Sequence, residues 1–180
     1  AHVELAREAA RQSLVLLKND GILPLRPDIR MAVIGPNAHN RDAMLGNYNG
    51  TPDECITVLD GVRRYMREHG GSVLYAEGSP IFFPGDDMLS EAVSAAQHSD
   101  VVLLCLGLDS KLEGEEGDAN NPFGGADKPD LNLPASQQKL LETLIATGKP
   151  VIVLLLAGSA LAVGYAHEHA AAVIDCFYPG

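Results

Sequence analysis

Five short runs of aliphatic and β-branched residues recur along the chain: Met31 to Ile34, Ser72 to Tyr75, Val101 to Leu106, Val151 to Leu156 and Ala172 to Cys176. All are of strand length. A strand half exposed to water alternates polar and apolar residues, so runs this continuously apolar belong to strands covered on both faces. Between them lie patterns of helical period. Val58, Leu59, Val62 and Met66 precede Gly70, and Met88, Leu89, Ala92, Val93 and Ala96 follow Asp86 and Asp87, each a stripe repeating every 3.6 residues. A third helix is predicted from Pro134 to about Thr147. Proline suits its first turn, Leu140, Leu141, Leu144 and Ile145 make its apolar face, and Gly148 followed by Pro150 ends it. Strands alternating with helices in this way predict an α/β fold built on a mostly parallel sheet.

Composition narrows the partners. With 180 residues, 46% hydrophobic and 21% charged, the chain has the make-up of a globular domain able to bury a core. Thirteen basic residues face 24 acidic ones, a formal charge of −11, so no electrostatic footprint exists for nucleic acid or for an anionic membrane surface. The longest apolar run, Val151 to Ala157, has seven residues, against roughly 20 for a bilayer span. No export signal is visible at Ala1 to Leu5, and the compartment stays open. Three cysteines cannot all pair internally, and Cys105 and Cys176 lie in apolar runs that suit buried free thiols.

Before the first of these strands, Val3 to Lys18 reads as a further helix, and Asn19 to Arg30, with Gly21, Pro24 and Pro27, as an extended connection. The chain stops at Phe177, Tyr178, Pro179 and Gly180, directly after a predicted strand. We expect a piece of a longer protein, with residues 1–30 as lead-in helix and linker and residues 31–180 as the domain proper, truncated at its C-terminal end.

Two loops are long. Asn37 to Ile56 is rich in Asn, Gly and Pro with no periodicity. Gly107 to Leu133 spans 27 residues after the third strand, and ligands of open α/β sheets collect at the carboxyl ends of strands. This second loop holds Asp109, Glu113, Glu115, Glu116, Asp118, Asp127 and Asp130 against Lys111 and Lys128. A carboxyl among carboxylates, partly desolvated, holds its proton to higher pH, which is what a general acid requires. A solvated acidic loop is the alternative reading.

Other chemistries find less support. With Asp109 as position 1 of an EF-hand, Lys111 and Asn120 fall where oxygen ligands and the closing glutamate belong. Ile34, Gly35, Pro36, Asn37 and Ala38 lack a dinucleotide fingerprint, and Gly148, Lys149 and Pro150 do not make a phosphate loop. His167, Glu168 and His169 lack a third ligand at metal spacing, and Ala157, Gly158, Ser159 and Ala160 do not form a nucleophile elbow. Neither a metal nor a cofactor is expected.

Several motifs follow one another over essentially the whole chain. They are Ala6 to Ala10 with Leu14 to Gly21 and Leu23 to Leu25, then Ala32 to Ala38, Leu45 to Gly50, and Gly107, Leu108 and Asp109 leading to Leu112, Glu113, Gly114 and Glu115. Asp130 to Pro134 with Gln137 and Leu140, and finally Phe177 to Gly180, complete the series. In this order they resemble the second domain of glycoside hydrolase family 3, the retaining β-glucosidases and β-xylosidases. The resemblance implies a three-layer α/β sandwich, flavodoxin-like in appearance, with a mostly parallel sheet of five to six strands, the sixth expected beyond Gly180. It also implies that an N-terminal (β/α)8 barrel, not in this chain, supplies an aspartate nucleophile while this domain lends an acid/base glutamate for hydrolysis of terminal non-reducing β-linked sugars.

Matched from Gly107, the acid/base position falls on Glu113, with Glu115 and Glu116 as alternatives. The stretch from Ala119 to Ala126 departs from the shorter loop of many family members. A donor carried on a loop from another domain brings its neighbours close to the leaving group, so Asp109, Lys111 and Asn120 are substrate-contact candidates. Alone, the domain is expected to be inactive. The competing expectation is a non-catalytic α/β module that binds carbohydrate or only packs between domains.

Overall fold

The computed structural model describes residues 2–46, 48–83, 88–114 and 128–179. Six strands form one sheet in the order β1-β6-β5-β4-β2-β3. They are β1 (Val15–Asn19), β2 (Arg30–Ile34), β3 (Ser72–Ala76), β4 (Val101–Gly107), β5 (Val151–Leu156) and β6 (Ala172–Asp175). All neighbouring pairs are parallel except β1 with β6. The helices are α1 (His2–Ser13), α2 (Val58–Glu68), α3 (Leu89–Gln97), α4 (Ala135–Ile145) and α5 (Gly164–His169).

The continuous apolar runs are explained by two cores, one on each face of the sheet. Ile34, Leu104, Leu106 and Val153 point into one, with Leu140, Leu141 and Leu144 of α4 and the alanines of α3. Val33, Leu103, Cys105 and Ile152 point into the other, with Leu59 and Met66 of α2. Successive strand residues face opposite sides, so a stretch of strand covered on both faces must be apolar at every position. All seven residues of β4 are buried.

The helix ends follow local chemistry. Thr57 caps α2: its hydroxyl oxygen accepts from the Asp60 amide at 3.3 Å, and its own amide donates to the Asp60 carboxylate at 3.2 Å, a reciprocal pair that satisfies otherwise orphaned donors. Burial pushes the thiols of Cys105 and Cys176 up, the latter to about 12, which leaves both inert. All three cysteines are free.

The structure corrects the N-terminal segment. The first helix stops at Ser13, and Val15–Asn19, expected as its last turn as far as Lys18 and as the start of the extended connection at Asn19, forms the sixth strand. It pairs antiparallel with β6 through Val15 with Asp175, Leu16 with Ile174, Lys18 with Val173 and Asn19 with Ala172. The sixth strand therefore comes from before residue 30 and not from beyond Gly180. Leucine-rich segments suit either state, and the open edge of β6 offers backbone partners that a lone helical turn lacks.

The chain leaves β2 for β3 on one side and returns through α3 to β4 on the other, so the strand order reverses between β2 and β4. Loops diverge at such a point and leave a crevice at the strands' carboxyl ends. The two long loops noted in the sequence begin there.

Candidate active site

Where β4 ends, Gly107 adopts φ +139°, and a Cβ placed there would lie 2.0 Å from the Leu156 carbonyl oxygen. Only glycine lets the chain turn so close to β5. The fully buried Gln137 of α4 then clamps the turn. Its side-chain oxygen accepts from the Gly107 amide at 2.8 Å, while its nitrogen donates to the carbonyls of Gly107 at 2.7 Å and Ile81 at 2.6 Å. From the loop after β2, the buried Asn37 Nδ2 donates to the Leu108 carbonyl at 2.7 Å.

Asp109 folds the next turn. Its carboxylate accepts from the amides of Lys111 at 3.0 Å and Leu112 at 2.9 Å, and its carbonyl from the Glu113 amide at 3.0 Å. It is 6% exposed, so the geometry gives it a scaffolding part. Lys111 instead points to solvent and reaches Asp42 Oδ2 at 2.5 Å, tying this turn to the loop after β2. That carboxylate holds the Lys111 ammonium above its ordinary value.

The turn presents Glu113 to the ends of β5 and β6. One carboxylate oxygen accepts from the Gly158 amide at 2.7 Å and the other from the Ser159 amide at 2.9 Å. The hydroxyls of Ser159 and Tyr178 donate to the same carboxylate. Burial, together with this carboxylate, pushes the Tyr178 phenol up, so it remains a neutral donor. Gly158 is small of necessity, because a Cβ would come within 2.9 Å of the Tyr178 ring and 3.2 Å of Glu113 Oε2. Further along, Lys128 donates to the Ala160 carbonyl, and the Ala162 amide to that of Leu131. The acidic stretch is thus anchored on the segment after β5 at both Glu113 and Lys128. Glu115, Glu116 and Asn120 lie outside the described residues.

The site therefore brings together Glu113, Asp109 and Lys111 from one turn, and adds Asn37, Ser159 and Tyr178. Sequence reasoning gave these three no part in the chemistry. The available signal was position: each follows the carboxyl end of a strand. A hollow of about 330 Å³ lined by Phe82, Leu108, Lys128, Asp130 and Leu133 adjoins the turn. A larger cleft of about 690 Å³ over α2, edged by Arg41, Arg63, Arg64 and Arg67, contains none of the residues that hold Glu113. Among the described residues, no group of three or more His, Cys, Asp or Glu side chains could hold a metal ion.

Residues 14–180 match the model of the glycosyl hydrolase family 3 C-terminal domain. A β-xylosidase of Formosa agariphila is 38% identical over 99% of this chain and 25% of its own length. The periplasmic β-glucosidase of Salmonella typhimurium is 31% identical, again over 99% of this chain and 25% of its own. Among solved structures, a family 3 exo-β-xylosidase in complex with a xylobiose aziridine activity-based probe superposes with a TM-score of 0.85 and 32% identity, covering 99% of this chain and 22% of that one. The chain spans about a quarter of the length of the curated relatives it matches.

Proposed function

Because the chain belongs to glycosyl hydrolase family 3, as its C-terminal domain, we propose that it serves a retaining β-glycosidase of the β-xylosidase or β-glucosidase class. In that role it lends a carboxyl group to a barrel domain of the same protein that carries the nucleophile. The substrate is an oligosaccharide or aryl glycoside with a terminal non-reducing β-linked sugar. Relatives over nearly the whole chain bear both β-xylosidase and β-glucosidase names, in keeping with a domain that leaves sugar selection to the barrel.

Glu113 is the proposed acid/base. In the first half-reaction its proton passes to the glycosidic oxygen as the barrel's aspartate bonds to the anomeric carbon. In the second, Glu113 takes a proton from the water that breaks the glycosyl ester. Such a pair works at a carboxyl separation of about 5–5.5 Å, so the donor must be held rigidly on its own domain. The observation that carries the reading is a glutamate on the turn after β4, fixed from the ends of β5 and β6 at the carboxyl edge of the sheet. Lys111, exposed beside it, is the proposed contact to the leaving-group sugar, and Asn120 is proposed with it from the sequence.

One observation favours a second reading. Both oxygens of Glu113 are already occupied, by two amides and two hydroxyls, as suits a carboxylate that pins a loop. In that reading Glu115 or Glu116 donates the proton and Glu113 holds the loop in place.

Glu113→Ala in the full-length protein decides between them. As acid/base mutant it hydrolyses a disaccharide about 10²-fold or more slowly and keeps much of its rate on an aryl glycoside with a good leaving group. Azide then attacks the glycosyl ester, frees the aspartate and yields the β-glycosyl azide without needing a proton. If the two substrates slow equally and no azide product forms, while Glu115→Ala or Glu116→Ala shows that pattern, the second reading holds. If none of the three variants does, the domain is a non-catalytic module.

A further inference from the structure

We infer that Tyr178 is a positioning residue for Glu113, holding its carboxylate for proton transfer through the phenolic hydroxyl, with the Ser159 hydroxyl as the lesser partner. This rests on the acid/base reading of Glu113 above. Three observations carry it. The Tyr178 hydroxyl donates to a carboxylate oxygen of Glu113 although 65 residues separate them in the chain. The Cδ2–Cε2 edge of the ring packs on two glycines, since a Cβ at Gly158 would lie 2.9 Å from it and one at Gly46 3.5 Å. Tyr178 thus joins the segments after β2, β4, β5 and β6 at a single side chain. Finally, the preceding Phe177 sits at φ +53°, a region aromatic residues rarely occupy, and its amide is steadied by Asp175 Oδ1 at 3.3 Å. Strain of this kind persists where the surroundings impose it, and here it turns the chain so that the tyrosine points back to the sheet's edge.

The hydroxyls suit a group that gains and loses a proton. The amides of Gly158 and Ser159 only donate, whereas a phenol or an alcohol can rotate to accept. When Glu113 carries its proton, Tyr178 and Ser159 can yield without breaking the two amide contacts that fix the side chain.

The test uses the full-length protein with Tyr178→Phe, Ser159→Ala, Glu113→Ala and the double variant Tyr178→Phe/Glu113→Ala, assayed on a disaccharide. Losing a donor to the ionised carboxylate favours its protonated form, so the basic limb of kcat/KM moves to higher pH. We expect Tyr178→Phe to shift that limb by roughly half to one pH unit and to lower kcat about tenfold, with KM within about twofold. Ser159→Ala moves the limb the same way by less, and supplies the measurement if Tyr178→Phe fails to fold. In the Glu113→Ala background the tyrosine substitution adds nothing. The inference is overturned if Glu113→Ala is rescued by azide yet Tyr178→Phe leaves the limb in place, or slows the enzyme as much without Glu113 as with it. Absence of azide rescue in Glu113→Ala marks instead the failure of the acid/base reading, and this inference falls with it.

Discussion

Strands β4 and β1 both carry consecutive aliphatic residues in one sheet, Val101 to Leu104 and Leu106 around Cys105 in the one and Val15 to Leu17 in the other, yet every residue of β4 is buried while β1 leaves four of its five exposed. β4 sits between two neighbours and beneath helices on both faces, so its side chains divide between two cores. β1 is an edge strand, with Leu16 at 55% exposure, and α1 beside it buries no residue, leaving Val3 at 74% and Leu5 at 69%. Strand-like sequence is thus no measure of how much a strand contributes. Burial is, because apolar area withdrawn from water drives folding in rough proportion to its extent.

The comparison can be broken most forcefully at its centre. Leu104→Ala, at a fully buried position, should cost about 3–4 kcal/mol in urea denaturation. A loss under about 1 kcal/mol would mean that the core collapses around the gap. Next comes Gln137→Leu, which leaves two buried groups of Gly107 and the Ile81 carbonyl without the side chain they bond. We expect about 2–3 kcal/mol and a drop in activity, since the same clamp sets the path into the Glu113 turn.

Away from the centre, Thr57→Ala removes the cap of α2 and should cost about 1 kcal/mol. The Thr57 hydroxyl and amide hold the Asp60 carboxyl below its usual range. A carboxyl lowered on folding stabilises above its unfolded pKa and loses that contribution as pH falls through the folded value. Stability measured from neutral pH into the acid range should therefore fall less steeply in Asp60→Asn than in the parent. The smallest effect belongs to the edge: Leu16→Ala should change the isolated domain by no more than about 0.5 kcal/mol. A larger loss there would show that β1 is covered by apolar neighbours, which would remove the contrast with β4.

Local pattern made the parallel core legible. The five apolar runs coincide with β2 to β6 within a residue or two, and the stripes at Val58, Leu89 and Leu140 with α2, α3 and α4. The site was legible in part. A long acidic loop after a strand's carboxyl end directed attention to that loop, and the family resemblance then to Glu113, with Glu115 and Glu116 as alternatives. Asn37, Ser159 and Tyr178 were not assigned, because each acts through a contact with a distant stretch of chain. Asp109 was grouped with substrate contacts, whereas its buried carboxylate caps the turn. Acidity alone does not distinguish an oxygen that meets backbone amides from one that meets a ligand.

By itself, then, the sequence determined the fold class, the parallel strands, the principal helices and the loop that bears the candidate carboxyl. These are written in periods of two and 3.6 residues and in glycine and proline signals that act within a few positions. Tertiary structure decided the fate of Leu14 to Asn19, where an available edge on β6 outweighed helical continuation. It also decided the company of Glu113, since hydrogen bonds spanning 45 and 65 residues arise only when strand order brings the ends of β4, β5 and β6 together.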